Sequence, residues 1–548
     1  MPELEIPARS ATLDRLERES FDCAVIGGGI SGAGVAREAS LRGLSVALLE
    51  AEDFASGTSS RSSKLIHGGL RYLAMGDVAL VRTTALERKQ IFRLAPHLAE
   101  RRWMVVPVRS YASLLKMRAA VTTYEKLGAV EGPDLHRNWS ASEIESEEPL
   151  LDTSVYKHAC VYREYLTDDA HLVLANLRSA ASLGAAVLNH AAVDSIVRDG
   201  GRAAGLEAVC RLSGRRVRVR ARCVINAAGP WVEAVRRLES PSAPPLLHLS
   251  KGVHVVLKAE RLPVRNLLIL GTQDRRSIFV MRQGPCVVIG TTDTSYPRGA
   301  DVWPEITRED DEYLLEPPAR YLRGEKLSSE DVIGAWAGLR PLIAQPGKKP
   351  SEISRRDEVL VGPASVITMA GGKLTGYRPL ARQTVERAAE VASLRLAPAC
   401  DEDPPLPGGD FDGDLAALEA ELVRETGVGT VAAARLVRLH GTEARELARG
   451  GMQELVPGVL ASEIDWAVRR EGAATLEDLL YRRLRTSLYA GSGREAAVLP
   501  AAERMARLLG WDAARTQTEV QRARAQLAAD LAFRDVATVG VARAVGST

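Results

Sequence analysis

The chain has 548 residues, too many for one simple core, and 46% hydrophobic with 26% charged residues is the composition of a folded protein of two or three domains. Lys plus Arg number 72 against 70 Asp plus Glu, so bulk charge gives no reason to expect a polyanion, and no nucleic acid partner is expected. The six cysteines are scattered with no CxxC pair, which argues against a metal centre or a disulfide framework; no metal is expected, and a reduced, cytoplasmic chain fits best.

Residues 1–20 are charged throughout and lack the apolar centre of a secretory signal, and read as an N-terminal extension. No apolar run reaches the roughly 20 residues that span a bilayer, so any membrane contact is expected to be peripheral. Residues 21–26 (FDCAVI) form a short β-branched apolar run of the kind buried in a parallel sheet. A glycine turn, a small-residue helix over 33–41 and a second strand over 45–50 complete a βαβ unit. A helix is expected over 82–99 and a strand over 103–108; residues 114–126 read either as a solvated amphipathic helix or as one lying on lipid. Further on come a helix over 171–183, a strand over 186–189, and a hairpin over 196–219 turning near Ser213 and Gly214. Its alternating RVRVR marks a half-exposed strand. A separate buried strand over 223–226 and strands over 253–257, 277–281 and 287–289 follow. Residues 400–414, rich in Pro, Gly and Asp, read as a linker, and 415–548 as an all-helical C-terminal domain. Its basic cluster Arg469, Arg470, Arg482, Arg483 and Arg485 reads as a solvated helix face.

Gly27, Gly29 and Gly32 form G-x-G-x-x-G between a strand and a helix, where a helix N-terminus faces a pyrophosphate. Glu50 closes the second strand where an acid binds a ribose hydroxyl. The hydroxyls and amides of Ser56 to Ser60 (including Thr58, Ser59 and Ser60), of Ser62, Ser63 and Lys64, and of His67, Gly68 and Gly69 suit a pyrophosphate and an isoalloxazine better than a mobile nicotinamide. The late run Gly371, Gly372, Lys373, Leu374, Thr375 is a second glycine-rich approach, consistent with a long cofactor lying across the domain.

With FDCAVIGGGISGAGVAREASLRGLSVALLE and SGTSSRSSKLIHGGLRYL come YLTDDAHLVLAN, VINAAGPWV, KGVHVVL, VIGTTDTSY, WAGLRPLI, EISRRDEVLVG and AGGKLTGYR, in that order. This series resembles the FAD-dependent, quinone-linked (aerobic-type) glycerol-3-phosphate dehydrogenase family over nearly the whole chain. The resemblance implies an α/β FAD-binding Rossmann-like fold of the glutathione-reductase and D-amino-acid-oxidase type. It also implies a mixed-sheet substrate domain, mainly about 85–165 and 245–345, interleaved with the FAD-binding domain over 21–399. It adds Ile30, Ser31, Val193, Ala228 and Gly229 to the FAD contacts. It implies oxidation of sn-glycerol 3-phosphate to dihydroxyacetone phosphate by hydride transfer from C2 to flavin N5, with electrons passed to membrane quinone. The enzyme would sit peripherally on the inner face of the cell membrane, with a homodimer as a further expectation.

A phosphate dianion favours planar arginine donors. Carried by the family motifs, Arg71, Arg340, Arg355 and Lys373 are the expected phosphate clamp, with Tyr72 and Thr292 adding hydroxyls. His254 is the expected base and His67 a flavin contact, so His254, Arg340 and Lys373 make up the catalytic set. The alternatives are a glycerol-3-phosphate oxidase that reduces O2 to hydrogen peroxide, an amine or amino-acid oxidase, and a flavin-binding sensor.

Overall fold

The computed structural model describes residue 4 and residues 8–73, 76–324, 326–345, 357–399, 402–491 and 493–535. Helix α1 (Arg9–Arg18) is docked onto the first sheet through Leu13 and Leu16, so residues 9–18 of the expected extension belong to the core. The βαβ unit is β1 (Ser20–Ile26), α2 (Ile30–Leu41) and β2 (Val46–Leu49). There follow α3 (Asp169–Ser182), β3 (Ala186–Leu188), β4 (Arg216–Asn226), β5 (Leu247–Lys258), β6 (Val332–Ile343), β7 (Ile367–Gly371) and α4 (Tyr377–Ala392).

β1 pairs in parallel with β2 on one side and β4 on the other, with β3 beyond β2 and β7 beyond β4. Residues 23–26 are buried on both faces because α2, α3 and α4 cover one side and α1 with an antiparallel meander covers the other. An added Cβ at Gly32 would come within 1.9 Å of the Gly27 carbonyl oxygen, so this glycine lets α2 lie on β1. The meander corrects two expectations. Ala191–Asp199 and Arg202–Cys210 pair before Cys210 leads to β4, because Gly200 and Gly201 supply an additional left-handed turn. The half-exposed RVRVR and the buried 223–226 are one strand that runs from the sheet's edge into its centre.

The second sheet is mixed: Leu267–Gly271 runs parallel to Glu100–Val108, and its other strands pair antiparallel. β5 lies between β6 and Cys286–Gly290, and this register sets His254 opposite both Trp336 and Gly290, and Ser250 opposite Arg340.

Beyond residue 414 the chain is mainly helical, but a hairpin of Glu454–Val456 and Val459–Leu460 turns at Gly458 (φ +77°), so the domain is not all-helical. Nor does it have only its own core. Ile464, Leu480, Leu488 and Val498 share one with Met104, Tyr162, Val256 and Trp336 of the second sheet. The described part of the expected linker is packed. Leu406 is buried and its N–H donates to the Leu94 carbonyl at 2.8 Å, while side-chain-free Gly408 and Gly409 lie against the backbone of His440 and Leu94.

The basic cluster is the largest correction. Arg469 is exposed, but Arg482, Arg483 and Arg485 are buried, because each meets a carboxylate of the FAD-binding half. Asp53 accepts from Arg482 Nε at 2.5 Å and from Arg483 Nη1 and Nη2 at 2.5 and 2.9 Å. Arg485 donates to Asp168 at 2.9 Å and to Asp169 at 2.6 Å. A buried charge needs such partners.

Candidate active site

A cavity of about 460 Å³ runs from the carboxyl end of β1 to the facing strands β5 and β6. At one end the turn after β1 holds Gly27 at φ +114°, a conformation open to glycine, and an added Cβ there would meet the Ala227 carbonyl at 2.6 Å. Gly29, Ile30 and Ser31 line the wall at the N-terminus of α2, and the Ile30 N–H donates to Ser59 Oγ at 3.0 Å. Glu50 accepts from the Gly28 N–H at 2.6 Å and the Glu52 N–H at 2.9 Å. Burial pushes its carboxyl above the usual range, and these donors oppose the shift. Val193, Ala228 and Gly229 close this end, together with Trp231.

At the other end the two glycine-rich segments meet. His67 and residues 371–375 line the same cavity, and Thr375 Oγ1 donates to the His67 carbonyl at 3.1 Å. Thr58, Ser59 and Ser63 line the wall between, and Gly57 lies so close to Trp231 that an added Cβ would be 2.9 Å from its ring.

Opposite them stand His254 and Arg340. The His254 ring stacks on Trp336 with centroids 5.0 Å apart and planes 15° from parallel. Its Nε2 is 2.9 Å from Ser63 Oγ, and its buried Nδ1 makes no hydrogen bond among the described residues. Burial, then Arg340 and Lys64, hold this imidazole well below its ordinary range, so it is neutral. Arg340 donates to Thr291 Oγ1 at 2.8 Å and to the Thr292 carbonyl at 3.2 Å, and pairs with Asp293 at 3.4 Å. It fits because position 252 is glycine: a Cβ there would lie 2.3 Å from Arg340 Nη2.

Several expected contacts stand behind the wall. Thr292 is buried and its Oγ1 accepts from the Val253 N–H at 3.0 Å, which fixes strand geometry instead of presenting a hydroxyl to the cavity. Lys64 is buried with Nζ 2.8 Å from Asp169 and 2.9 Å from the Ser60 carbonyl; burial and Arg485 lower its ammonium to about 8 against the pull of Asp169. Ser60, Gly68 and Gly69 are likewise off the wall, the Gly68 N–H donating to Tyr124 Oη at 3.0 Å, and Gly32 serves helix packing. Arg355 and the side chains of Arg71 and Tyr72 lie outside the described residues.

Sequence reasoning passed over Arg61, Trp336, Gly252 and Gly338. Arg61 lines the cavity with its guanidinium 3.8 Å over the Trp303 ring, lowered to about 10 by burial and Arg482. The glycines carry a local signal, since KGVHVVL and WAGLRPLI each set a glycine inside a strand at a position where only a missing side chain leaves room for a neighbour. For Arg61 no local signal distinguishes it from a surface arginine.

The donor set fits a dinucleotide. A glycine-capped helix N-terminus faces the cavity beside an acid at the end of β2, and the cavity continues to polar groups at a second glycine-rich loop. Residues 22–378 match the model of the FAD dependent oxidoreductase family, and residues 400–516 that of the C-terminal domain of alpha-glycerophosphate oxidase. The aerobic glycerol-3-phosphate dehydrogenase of Staphylococcus haemolyticus is 36% identical over 493 residues, covering 87% of this chain and 88% of that one. Its Staphylococcus aureus counterpart is 33% identical over 486 residues, covering 85% and 87%. The structure of the Bacillus halodurans glycerol-3-phosphate dehydrogenase complexed with FAD superposes with a TM-score of 0.81 at 28% identity, covering 97% of this chain and 100% of that one. The Mycoplasma pneumoniae L-alpha-glycerophosphate oxidase with FAD bound shares the fold, with a TM-score of 0.54 at 16% identity over 72% of this chain and 98% of that one. With residues 22–378 matched by the family model and a relative 36% identical over 87% of this chain, the protein belongs to the FAD-dependent glycerol-3-phosphate dehydrogenase family, and FAD is its cofactor.

Proposed function

We propose that this enzyme oxidises sn-glycerol 3-phosphate to dihydroxyacetone phosphate and passes the electrons to membrane quinone. The observation that carries the reading is one cavity wall on which Arg340 and Lys373 stand with a neutral His254. Arg340 and Lys373, with Arg71 and Arg355, supply the cationic donors for the phosphate dianion. His254, whose Nε2 lies 2.9 Å from the cavity-lining Ser63 Oγ, is the base that accepts the C2 hydroxyl proton. Trp336 holds the ring in plane and excludes water from that face. Bound along the cavity, FAD supplies the hydride acceptor, and the chain's own groups orient the substrate against it. Gly27, Gly29, Glu50 and residues 372–375 are the groups that hold the cofactor in this reading.

No described helix is long and apolar enough to cross a membrane. Helix Tyr111–Leu127 exposes Tyr111 and Leu115 beside Lys116 and Arg118, which supports docking on an anionic inner leaflet. A second reading, transfer to O2, is favoured by the match of residues 400–516 to an oxidase C-terminal domain. Anaerobic titration with sn-glycerol 3-phosphate tests the substrate: bleaching of the flavin band is expected, and a flavin that stays oxidised overturns it. Reoxidation of the bleached enzyme by a soluble quinone, compared with air, then separates the two acceptors.

A further inference from the structure

We propose that His171, His440 and Glu471 form a divalent-metal site, suited to Zn²⁺, that ties the FAD-binding half to the C-terminal helices. His171 lies on α3, and the other two come from the C-terminal domain, so neither spacing nor motif in the sequence brings them together. Their ligand atoms lie within 4.8 Å of one another, and all three residues are buried.

The hydrogen bonding around the set is that of ligands, not of a closed network. His171 Nδ1 is 3.0 Å from Asp168 Oδ1, a carboxylate whose other oxygen accepts from Arg485 at 2.9 Å. An ionised carboxylate only accepts, so Nδ1 carries the proton and the lone pair is on Nε2. That Nε2 is buried and makes no hydrogen bond among the described residues. A carboxylate fixing the far nitrogen of a histidine is the usual second layer of a metal centre. His440 stands edge-on to His171, with centroids 5.4 Å apart. Its Nδ1 is 3.7 Å from Glu471 Oε1, beyond hydrogen-bond range. Glu471 is 2% exposed, and a carboxylate so buried favours a cation beside it. A tetrahedral zinc with bonds of about 2.0–2.1 Å draws its ligand atoms to about 3.4 Å apart, and side-chain rotations of roughly an ångström close the set.

The neighbouring cations are already engaged. Arg178 makes two bonds of 2.7 Å to Glu443, and Arg435 is paired with Glu463. The other buried group of this type, Asp53, His190 and Asp478, carries no such inference, since Asp53 is committed to Arg482 and Arg483, and Asp478 to Arg482 and His190.

The test uses the full-length flavoenzyme, stripped with a chelator, re-equilibrated with excess ZnSO4 and gel-filtered before elemental analysis. One zinc per chain is expected, with affinity at least about tenfold weaker in Glu471→Gln and His440→Gln, whose flavin spectra check folding. Zinc should also raise the Tm of the wild type and not of the variants. No retained zinc in the wild type, or retention unchanged in both variants, overturns the proposal. Should the variants lose their flavin, zinc X-ray absorption of the wild type decides: two imidazoles and a carboxylate support the site, and any other protein ligand set overturns it.

Discussion

Replacing Asp53 by asparagine tests whether the C-terminal arginines are part of the core. The carboxylate is fully buried and receives three short donors from Arg482 and Arg483. Arg482 retains Glu477 at 3.0 Å and Asp478 at 3.1 Å, but among the described residues Arg483 keeps only the Glu471 carbonyl. The amide introduced by Asp53→Asn would also turn an N–H₂ toward guanidinium donors. Breaking a buried pair from one side leaves an uncompensated charge, so Asp53→Asn should destabilise by about 3–5 kcal/mol. The assay is urea unfolding followed by tryptophan fluorescence and by FAD release, with coincident transitions as the condition for a single free energy. A loss below about 1 kcal/mol, the size typical of a solvent-screened pair, would refute the reasoning. The double variant Asp53→Leu with Arg483→Met removes charge from both sides and should lose less than Asp53→Asn alone.

Arg340→Ala should lower kcat/KM for sn-glycerol 3-phosphate by about 100-fold, with kcat falling as KM rises; unchanged steady-state kinetics would remove Arg340 from the clamp. Gly252→Ala should move the same parameters in the same direction, because its Cβ would displace Arg340 Nη2, and wild-type kinetics there would show the guanidinium to be free to relocate. His254→Asn should slow anaerobic flavin reduction by about 100-fold or more. Because the His254 pKa is depressed, the wild-type ring stays neutral into acid, so the acid limb of its rate profile should lie below the ordinary histidine value of about 6.5; a limb at or above that value would sink the base assignment. Glu50→Ala should weaken FAD retention, read as flavin occupancy after gel filtration; full occupancy would mean that Glu50 serves only Gly28 and Glu52.

The legible part of this molecule was the part written in short spacings. Gly27 and Gly29, the acid at 50 and the run 371–375 each declare their backbone needs locally and line one cavity, while Gly32 serves helix packing. His254 and Arg340 were legible through motifs that place them on neighbouring strands at positions where glycine leaves room. What stayed hidden depends on partners far along the chain. Arg482, Arg483 and Arg485 have the composition of a solvated helix face, and only Asp53, Asp168 and Asp169, more than 300 residues away, make them core. Lys64 and Thr292 fail as cavity residues for the same reason: a hydroxyl or ammonium in a polar run has no sequence mark for the side it faces, and here Asp169 and the Val253 N–H claim them. The hairpin at Gly458 was hidden by the helical composition around it.

Asp53 also has a meaning for biosynthesis. It leaves the ribosome 430 residues before Arg483. At roughly 5–20 residues per second that interval lasts about 20–90 s. Through all of it the segment following Glu50, whose Ala51 and Glu52 line the cofactor cavity, lacks the arginines that fix it. A chain released short of Arg483 would keep its nucleotide motif intact yet leave Asp53, beside the cavity wall, without that arginine.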